Sequence, residues 1–546
     1  MIEHSLRAEV EEWIALDPDP KTAALLQSWL DDGNETDLKR SFSGFLEFGT
    51  AGLRGPMGPG PSCMNRAVVG RAAAGLAAYM KKRNLTSVVI GRDARHGSED
   101  FTFESAEIFS GAGLEVFILP RPLPTPVLAF AVNELRVDAG VMVTASHNPP
   151  QDNGYKVYLG GTVDGQRYYG SQIVPPADTE IAAEIAAIHS ASARGTAWTI
   201  LDDDIFHKYV NRVIKISEKP FHNKIVYSAM HGVGTETIEA TFKAAGYAAP
   251  ILVVEQAQPD PDFPTVKFPN PEEPGAIDLS LATAKAQNAD LVIANDPDAD
   301  RCAAAAFDPK VGWRMLRGDE VGILLGYFIA TSRPEMTRGK AFANSIVSSS
   351  ALSKIAAAHK IEFYETLTGF KWLAKIPNLG FGYEEALGYD VDALTVNDKD
   401  GISAALMLAQ VLGVLQERGV TVIEYLDEIW NTYGYHRTEQ ISVRVESLRQ
   451  VEDILSRLRT QTPTSVAGHA VELFEDLNIA SKKLPATNGL RLWLKDGIRI
   501  IIRPSGTEPK MKCYIEVVRP GGSDADKSEA DSIVSALKGE LLALLS

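Results

Sequence analysis

Cysteine is scarce: the 546 residues hold 3, Cys63, Cys302 and Cys513, far apart and without C-x-x-C spacing. That excludes a disulfide framework and a thiolate zinc site, and it fits a reducing cytosol. Positive charge is also in deficit, with 54 Lys and Arg against 71 Asp and Glu, a formal net charge of -17. A partner rich in phosphate, whether nucleic acid or an acidic membrane, needs a basic face, so neither is expected. Any anionic ligand must be gripped by local cations. The most apolar stretches, Val321 to Ala330 and Ala404 to Leu415, are too short to span a bilayer. Met1-Ile2-Glu3-His4 opens an amphipathic acidic segment with no basic n-region and apolar h-region, so no secretion signal is read and a cytoplasmic location is expected. The chain also lacks G-x-x-x-x-G-K-[ST], G-x-G-x-x-G and G-x-S-x-G. These absences count against a P-loop transferase, dinucleotide chemistry and a serine hydrolase.

What is present is an ordinary globular composition, 45% apolar and 23% charged, in a chain too long for one hydrophobic core. Strand-like and helix-like segments alternate three times: Ser87 to Val143, Lys224 to Ala294 and Ala341 to Gly382. That alternation predicts α/β layers with largely parallel sheets. After a helix over Gly401 to Gln416 the pattern changes to paired strands near Gln440 to Val445, Leu490 to Leu494 and Ile498 to Ile502, an α+β module. The expected domains are residues 1–205, 206–325, 326–428 and 429–546.

Each unit delivers a charged loop where a strand ends, the place where open α/β sheets bind ligands. Thr144-Ala145-Ser146-His147-Asn148-Pro149-Pro150 follows the apolar strand Ala139 to Val143, and its prolines with the Asn153-Gly154 step are expected to keep regular structure from continuing. Ser146 is thereby displayed, with His147 beside it and Lys156 ten positions on, to hold an anion or move a proton. Asp296, Asp298 and Asp300 alternate along what reads as extended backbone, so that three carboxylates converge on one hard cation. An EF-hand would need glycine and glutamate where Arg301 and Phe307 stand, which sets calcium aside. Phe48 to Gly55 is a glycine-punctuated loop carrying Arg54, and Thr368-Gly369-Phe370-Lys371 reads as a helix start that brings amides and a lysine to an anion. Glu384 and Glu385 are able to accept hydrogen bonds from sugar hydroxyls. Arg503-Pro504-Ser505-Gly506-Thr507 combines guanidinium, hydroxyls and glycine backbone, the groups that grip phosphate. Taken singly, each is also compatible with an ordinary turn or a solvated acidic face.

Together, and in this order, the four loops Thr144 to Pro149, Asp296 to Arg301, Glu384 to Gly388 and Arg503 to Thr507 resemble the α-D-phosphohexomutases across nearly the whole chain. The resemblance implies three related α/β mixed-sheet domains plus a smaller C-terminal α+β domain around a central cleft. It implies an isomerase that moves a phosphoryl group through a phosphorylated Ser146 and a bisphosphosugar intermediate, with one Mg²⁺ held by Ser146, Asp296, Asp298 and Asp300. Arg54, Lys156 and His147 would serve proton and group transfer. Arg301, Thr368, Gly369, Lys371, Glu384 and Glu385 would bind the sugar phosphate, and Arg503, Ser505, Gly506 and Thr507 the phosphate that is not reacting. A bisphosphosugar would act as activator, and the protein would be a monomer or homodimer. The sugar loop Tyr383-Glu384-Glu385-Ala386-Leu387-Gly388-Tyr389 departs from the Glu-Glu-Ser of typical phosphoglucomutases and the Glu-Met-Ser of phosphomannomutases. It is closer to the branch with phosphopentomutases and glucose 1,6-bisphosphate synthase. Glucose phosphate is favoured, ribose phosphate is the rival, and mannose phosphate stays open. A phosphatase, a kinase-like phosphotransferase or a sugar-phosphate binding protein are the alternatives of another class.

Overall fold

Two of the three amino-terminal helices start where the sequence supplies a capping side chain. In the computed structural model, which describes residues 2–49, 52–188, 193–481, 484–505 and 510–545, the three are α1 (His4–Leu16), α2 (Pro20–Asp31) and α3 (Glu35–Ser41). Asp19 accepts from the Lys21 amide ahead of Pro20, and Asn34 accepts from the Asp37 amide. Their shared core is Val10, Leu26, Leu30 and Leu38. By internal packing the chain divides into two units, Met1–Met315 with Gly388–Gly413, and Leu316–Leu387 with Val414–Ser546.

Among the described residues the first unit holds two large sheets and a two-stranded ribbon of Thr162–Val163 with Gln166–Arg167. β1 (Leu53–Pro56), α4 (Arg66–Lys82), β2 (Ser87–Arg92), α5 (Ser98–Gly111), β3 (Glu115–Ile118), α6 (Thr125–Glu134), β4 (Ala139–Val143) and β5 (Asp152–Leu159) build the first of them. Its strand order begins β1-β5-β4-β2-β3. β2 lies parallel to β3 and β4, as apolar runs joined by helices require, and all five residues of β4 are buried. β5 runs antiparallel to both β4 and β1.

Two expectations are corrected here. Asn153 and Gly154 are not loop but the start of β5, and Arg54 sits in β1 rather than in a loop. The Asn153 amide group donates to His96 O and Ser98 Oγ, and its carbonyl accepts from the Gly154 amide. A Cβ on Gly154 would stand 2.5 Å from Thr144 O and 3.0 Å from Leu53 O, so the glycine serves close approach of two flanking strands instead of a turn.

The second sheet, of β6 (Ile225–Ser228), β7 (Ile251–Leu252), β8 (Leu291–Ala294), β9 (Ala303–Asp308) and β10 (Gly312–Met315), has the order β7-β6-β8-β9-β10. Its first three strands are parallel and its last two form an antiparallel meander.

In the second unit, β11 (Ala341–Ser345), β12 (Glu362–Thr366) and β13 (Leu379–Glu384) pair in parallel in the order β12-β11-β13. The apolar run from Val321 lies in the helix Gly318–Ser332, whose inner turns are buried. The C-terminal sheet is wholly antiparallel: β14 (Tyr435–Arg444), β15 (Ser465–Val466), β16 (His469–Asp476), β17 (Leu490–Leu494), β18 (Ile498–Pro504) and β19 (Lys510–Arg519), in the order β14-β19-β18-β17-β16-β15. Among the described residues no single helix is long and apolar enough to cross a membrane.

Candidate active site

The serine loop leaves β4 through a backbone that only firm anchoring would hold. Ser146 has φ +53°, the left-handed region that costs a non-glycine residue strain. Its amide donates to Thr144 Oγ1 at 2.9 Å. Arg95, just after β2, clamps the loop from beneath. Its Nη2 donates to Ser146 O at 2.6 Å and to Asn148 O, and its Nη1 to Pro149 O at 2.8 Å and Asp152 O at 3.2 Å. The guanidinium is buried and paired with Asp93. Sequence reading missed Arg95; the only signal was a charged Asp-x-Arg following a buried strand.

The three aspartates meet in a turn. The expected extended alternation is corrected: the Ala299 amide donates to Asp296 O at 2.8 Å and Ala299 has φ +52°. The fold-back after β8, not the pleat of a strand, brings the carboxylates together. All three are 0% exposed, and one ligand oxygen from each lies within 4.8 Å of the others. Ser146 Oγ donates to Asp296 Oδ2 at 2.6 Å, although 150 positions separate them. Lys156 Nζ donates to Asp298 Oδ2 at 2.6 Å and Asp300 Oδ2 at 2.8 Å, and Lys399 Nζ stands 2.8 Å from the latter. Thr125 Oγ1 donates to Asp298 Oδ2 at 2.6 Å, and the Arg301 amide to Asp296 Oδ1. Thr125 and Lys399 are further residues that the motifs did not flag, being distant in sequence from the aspartates they touch.

This donor set fits a hard cation. It is all oxygen, and Asp298 Oδ1 and Asp300 Oδ1 are buried without a hydrogen-bond partner. Electrostatics agree. Burial and the neighbouring Asp298 and Asp300 charges push the Asp296 carboxyl up, whereas Asp298, despite burial, is held low by the Lys156 ammonium. Burial disfavours the Lys399 charge, yet Asp300 and Asp398 keep it firmly protonated.

His147 Nδ1 lies 3.2 Å from Ser146 Oγ. Loss of solvent, then the Arg301 and Arg54 charges, pull its pKa well below 6.5, so the imidazole is neutral at pH 7. Arg54 Nη1 donates to Asn148 Oδ1 at 3.3 Å. Arg301 Nε reaches 4.0 Å from Asp296, and its Nη1 lies 3.8 Å from Glu272. Seven predicted residues, Arg54, Ser146, His147, Lys156, Asp296, Asp298 and Asp300, are therefore tied into one constellation within the first unit, with Arg301 at its edge.

In the second unit, Glu384 ends β13 and its Oε1 accepts from the Gly369 amide at 2.6 Å. Gly369 has φ +109° and precedes a four-residue helix, Phe370–Leu373, that contains the buried Lys371. Thr368 is half-buried just before it. Glu385 follows, with its Oε2 accepting from Ser345 Oγ at 3.1 Å and Ser348 Oγ at 2.9 Å. Arg503 was expected in a loop but lies in β18, in register with Lys512; the Ser505 amide donates to Lys510 O. Gly506 and Thr507 lie outside the described residues.

Four family domains match this chain in order. They are described as phosphoglucomutase/phosphomannomutase alpha/beta/alpha domains I (residues 46–192), II (206–308) and III (317–433), and the C-terminal domain (441–526). A Haemophilus influenzae protein named "probable phosphomannomutase" is 44% identical over 86% of this chain and 96% of its own length. The Homo sapiens phosphopentomutase is 34% identical over 98% of this chain and 95% of its own length, and the Mus musculus glucose 1,6-bisphosphate synthase 32% identical over 97% and 93%. The fold is also that of a phosphoglucomutase/phosphomannomutase family protein from Burkholderia thailandensis, with a TM-score of 0.69 at 20% identity, covering 91% of this chain and 97% of that one. With four family domains matched in order and with relatives that span almost its whole length, the chain belongs to the phosphoglucomutase/phosphomannomutase family and is a sugar-phosphate mutase.

Proposed function

We propose that the protein interconverts the 1- and 6-phosphates of glucose through a phosphorylated Ser146. The single observation that carries this is Ser146 Oγ, 2.6 Å from Asp296 inside a buried triad of carboxylates. A hydroxyl held against three carboxylates that can share a cation stands where a phosphoserine oxygen would meet that cation.

In the proposed cycle the Oγ–P bond of Ser146 breaks as the sugar's O6 forms its own bond to phosphorus. The O6 proton passes to a base. The resulting glucose 1,6-bisphosphate turns over, its 1-phosphoryl group returns to Ser146, and the 6-phosphate leaves. A trace of bisphosphosugar would act as activator by restoring a lost phosphoserine. Mg²⁺ bound by Asp296, Asp298 and Asp300 would offset the roughly two negative charges that phosphorylation adds to Ser146. The two nitrogen groups divide the proton work by charge state. His147 is neutral and within reach of Ser146 Oγ, so it suits acceptance. Lys156 is held protonated against burial by Asp298 and Asp300, so it suits donation and phosphate binding. Arg54 and Arg301 supply further positive charge to the transferring group. Glu384, Glu385, Thr368, Gly369 and Lys371 would take the sugar, and Arg503, Ser505, Gly506 and Thr507 the remote phosphate. We place the four domains at residues 1–205, 206–325, 326–428 and 429–546, in a cytoplasmic monomer or homodimer.

A pentose substrate is the second reading. Ala386 lacks the hydroxyl that the Glu-Glu-Ser loop offers a hexose, and full-length relatives at 34% and 33% identity are named "phosphopentomutase" and "probable phosphoribomutase". Phosphorus NMR decides. Protein with Mg²⁺ and a trace of glucose 1,6-bisphosphate is given glucose, mannose or ribose 1-phosphate in turn. Fastest isomerisation of the glucose ester supports the first reading, and a clear lead for ribose replaces it. Release of inorganic phosphate without isomerisation would overturn the mutase cycle.

A further inference from the structure

We propose that Ser345 and Ser348 are positioning residues for the sugar loop: they fix the plane of the Glu385 carboxylate, and the C-terminal sheet fixes them. The inference rests on the mutase reading for its functional consequence, but its geometry stands within the second unit alone.

Ser348 binds Glu385 twice. Its Oγ donates to Oε2 at 2.9 Å and accepts from the Glu385 amide at 3.0 Å, closing a ring of side chain and backbone. Ser345 Oγ adds a second contact to the same Oε2 at 3.1 Å and lies 2.9 Å from Ser348 Oγ. Both serines are essentially inaccessible, at 0% and 1% exposure. Two hydroxyls on one oxygen set the carboxylate plane and so the direction in which Oε1 points. A freely turning carboxylate would lose that direction, and with it the ability to tell one arrangement of ring hydroxyls from another. Helix Gly318–Ser332 crowds the same loop, since a Cβ on Gly318 would sit 1.8 Å from Glu385 O.

The serines stand on a strap, residues 345–350, that leaves β11 and is bolted to the C-terminal sheet. Arg499 of β18 donates from Nη1 to Ile346 O at 3.1 Å and from Nη2 to Ser348 O. The same guanidinium pairs with Glu516 of β19 at 2.8 Å. Glu516 Oε1 in turn accepts from the Ser350 amide at 2.7 Å, from Ser349 Oγ at 2.8 Å and from His436 Nδ1 at 2.9 Å. The Arg499 and Glu516 side chains are each 4% exposed and that of His436 0%. Such a network is far more than a solvated turn requires. Buried polar groups linked by this many hydrogen bonds hold one arrangement in preference to others. The C-terminal sheet thus helps to define the sugar loop of the neighbouring α/β layer, a role distinct from binding phosphate.

The test uses the full chain with Ser348→Ala, Ser348→Thr, Glu385→Ala and the Ser348→Ala/Glu385→Ala double variant. Hydrogen exchange without substrate reads positioning directly: in Ser348→Ala the 383–388 segment should exchange about tenfold faster, and Ser348→Thr should restore most of the protection. Kinetics read the consequence. KM for the preferred sugar phosphate should rise roughly five- to tenfold with kcat within about threefold, and the preference for that sugar over its rivals should shrink by a similar factor. Because the serine acts through Glu385, Ser348→Ala should add no further loss of affinity in the Glu385→Ala background. Unchanged exchange and KM in Ser348→Ala, or losses that simply add, would overturn the inference while the parent's turnover keeps the mutase reading intact. A parent that isomerises no sugar phosphate would overturn the mutase reading instead, and the exchange experiment would still decide the positioning role.

Discussion

A buried arginine and a displaced serine show how much of a reactive loop is built from beneath. Four backbone carbonyls, three of the Ser146 loop and one at the start of β5, converge on Arg95, and no lysine could reproduce that fork. Removing it would strand Asp93 and release a left-handed Ser146. Arg95→Ala is expected to lower kcat more than it raises KM, and to destabilise the first unit by about 3 kcal/mol, checked by steady-state kinetics and chemical denaturation. His147 makes a second prediction. Its folded pKa lies well below 6.5, the value it regains when unfolded, so the unfolded chain binds the extra proton first. This histidine's contribution to stability is therefore intact above pH 6.5 and is lost as pH falls below it. Proton NMR should find its ring still neutral when exposed histidines have titrated. A ring that titrates near 6.5 would show that burial and the Arg301 and Arg54 charges do not disfavour its proton.

At the scale of elements, the strap of residues 345–350 and the strands β18 and β19 behave as one piece because their charges are internal. Burial raises the pKa of Glu516, but Arg499 and then His436 outweigh it and bring it well below the ordinary 4.5. The sign follows: this carboxylate stabilises the second unit above pH 4.5 and the contribution is lost as pH falls through the lowered value. Glu516→Gln keeps the shape but leaves Arg499 with only the more distant Glu365 carboxylate, 3.6 Å away, and a loss of about 3 kcal/mol or less, seen as a lower midpoint in a pH 7 melt, is expected. The variant and the parent should converge as the pH is lowered and the parent's own carboxylate protonates. Parallel strands β2 and β3 were readable because each is an apolar run followed by a helix, and β4 because it is an apolar run preceded by one. Strand β5 was not, because Asn153 and Gly154 look like a turn until Thr144 and Leu53 are seen closing on the glycine from both sides.

For the whole molecule, a net charge of -17 and a buried acidic triad able to hold a metal ion lead to the prediction that the proposed cation stabilises the fold as well as serving the reaction. Mg²⁺ at a hundred times its Kd is expected to stabilise the chain by about 2.7 kcal/mol, and chelation to abolish isomerisation. Asp298→Asn should lose both effects in paired melting and activity assays. The order of the loops, the three α/β repeats and the residue types at strand ends were legible in the one-dimensional chain, since hydrophobic periodicity and the chemistry of Ser, Asp and Arg are local properties. Convergence was not. Thr125 and Lys156 reach Asp298 from 173 and 142 positions away, and Lys399 reaches Asp300 from beyond both second-sheet hairpin strands. Ser345 and Ser348 meet Glu385 from some forty residues off. Local sequence sets which strand ends in which loop. Only the packing of separate layers, driven by apolar area that carries no directional label, decides which of those loops share a proton, a carboxylate or a cation.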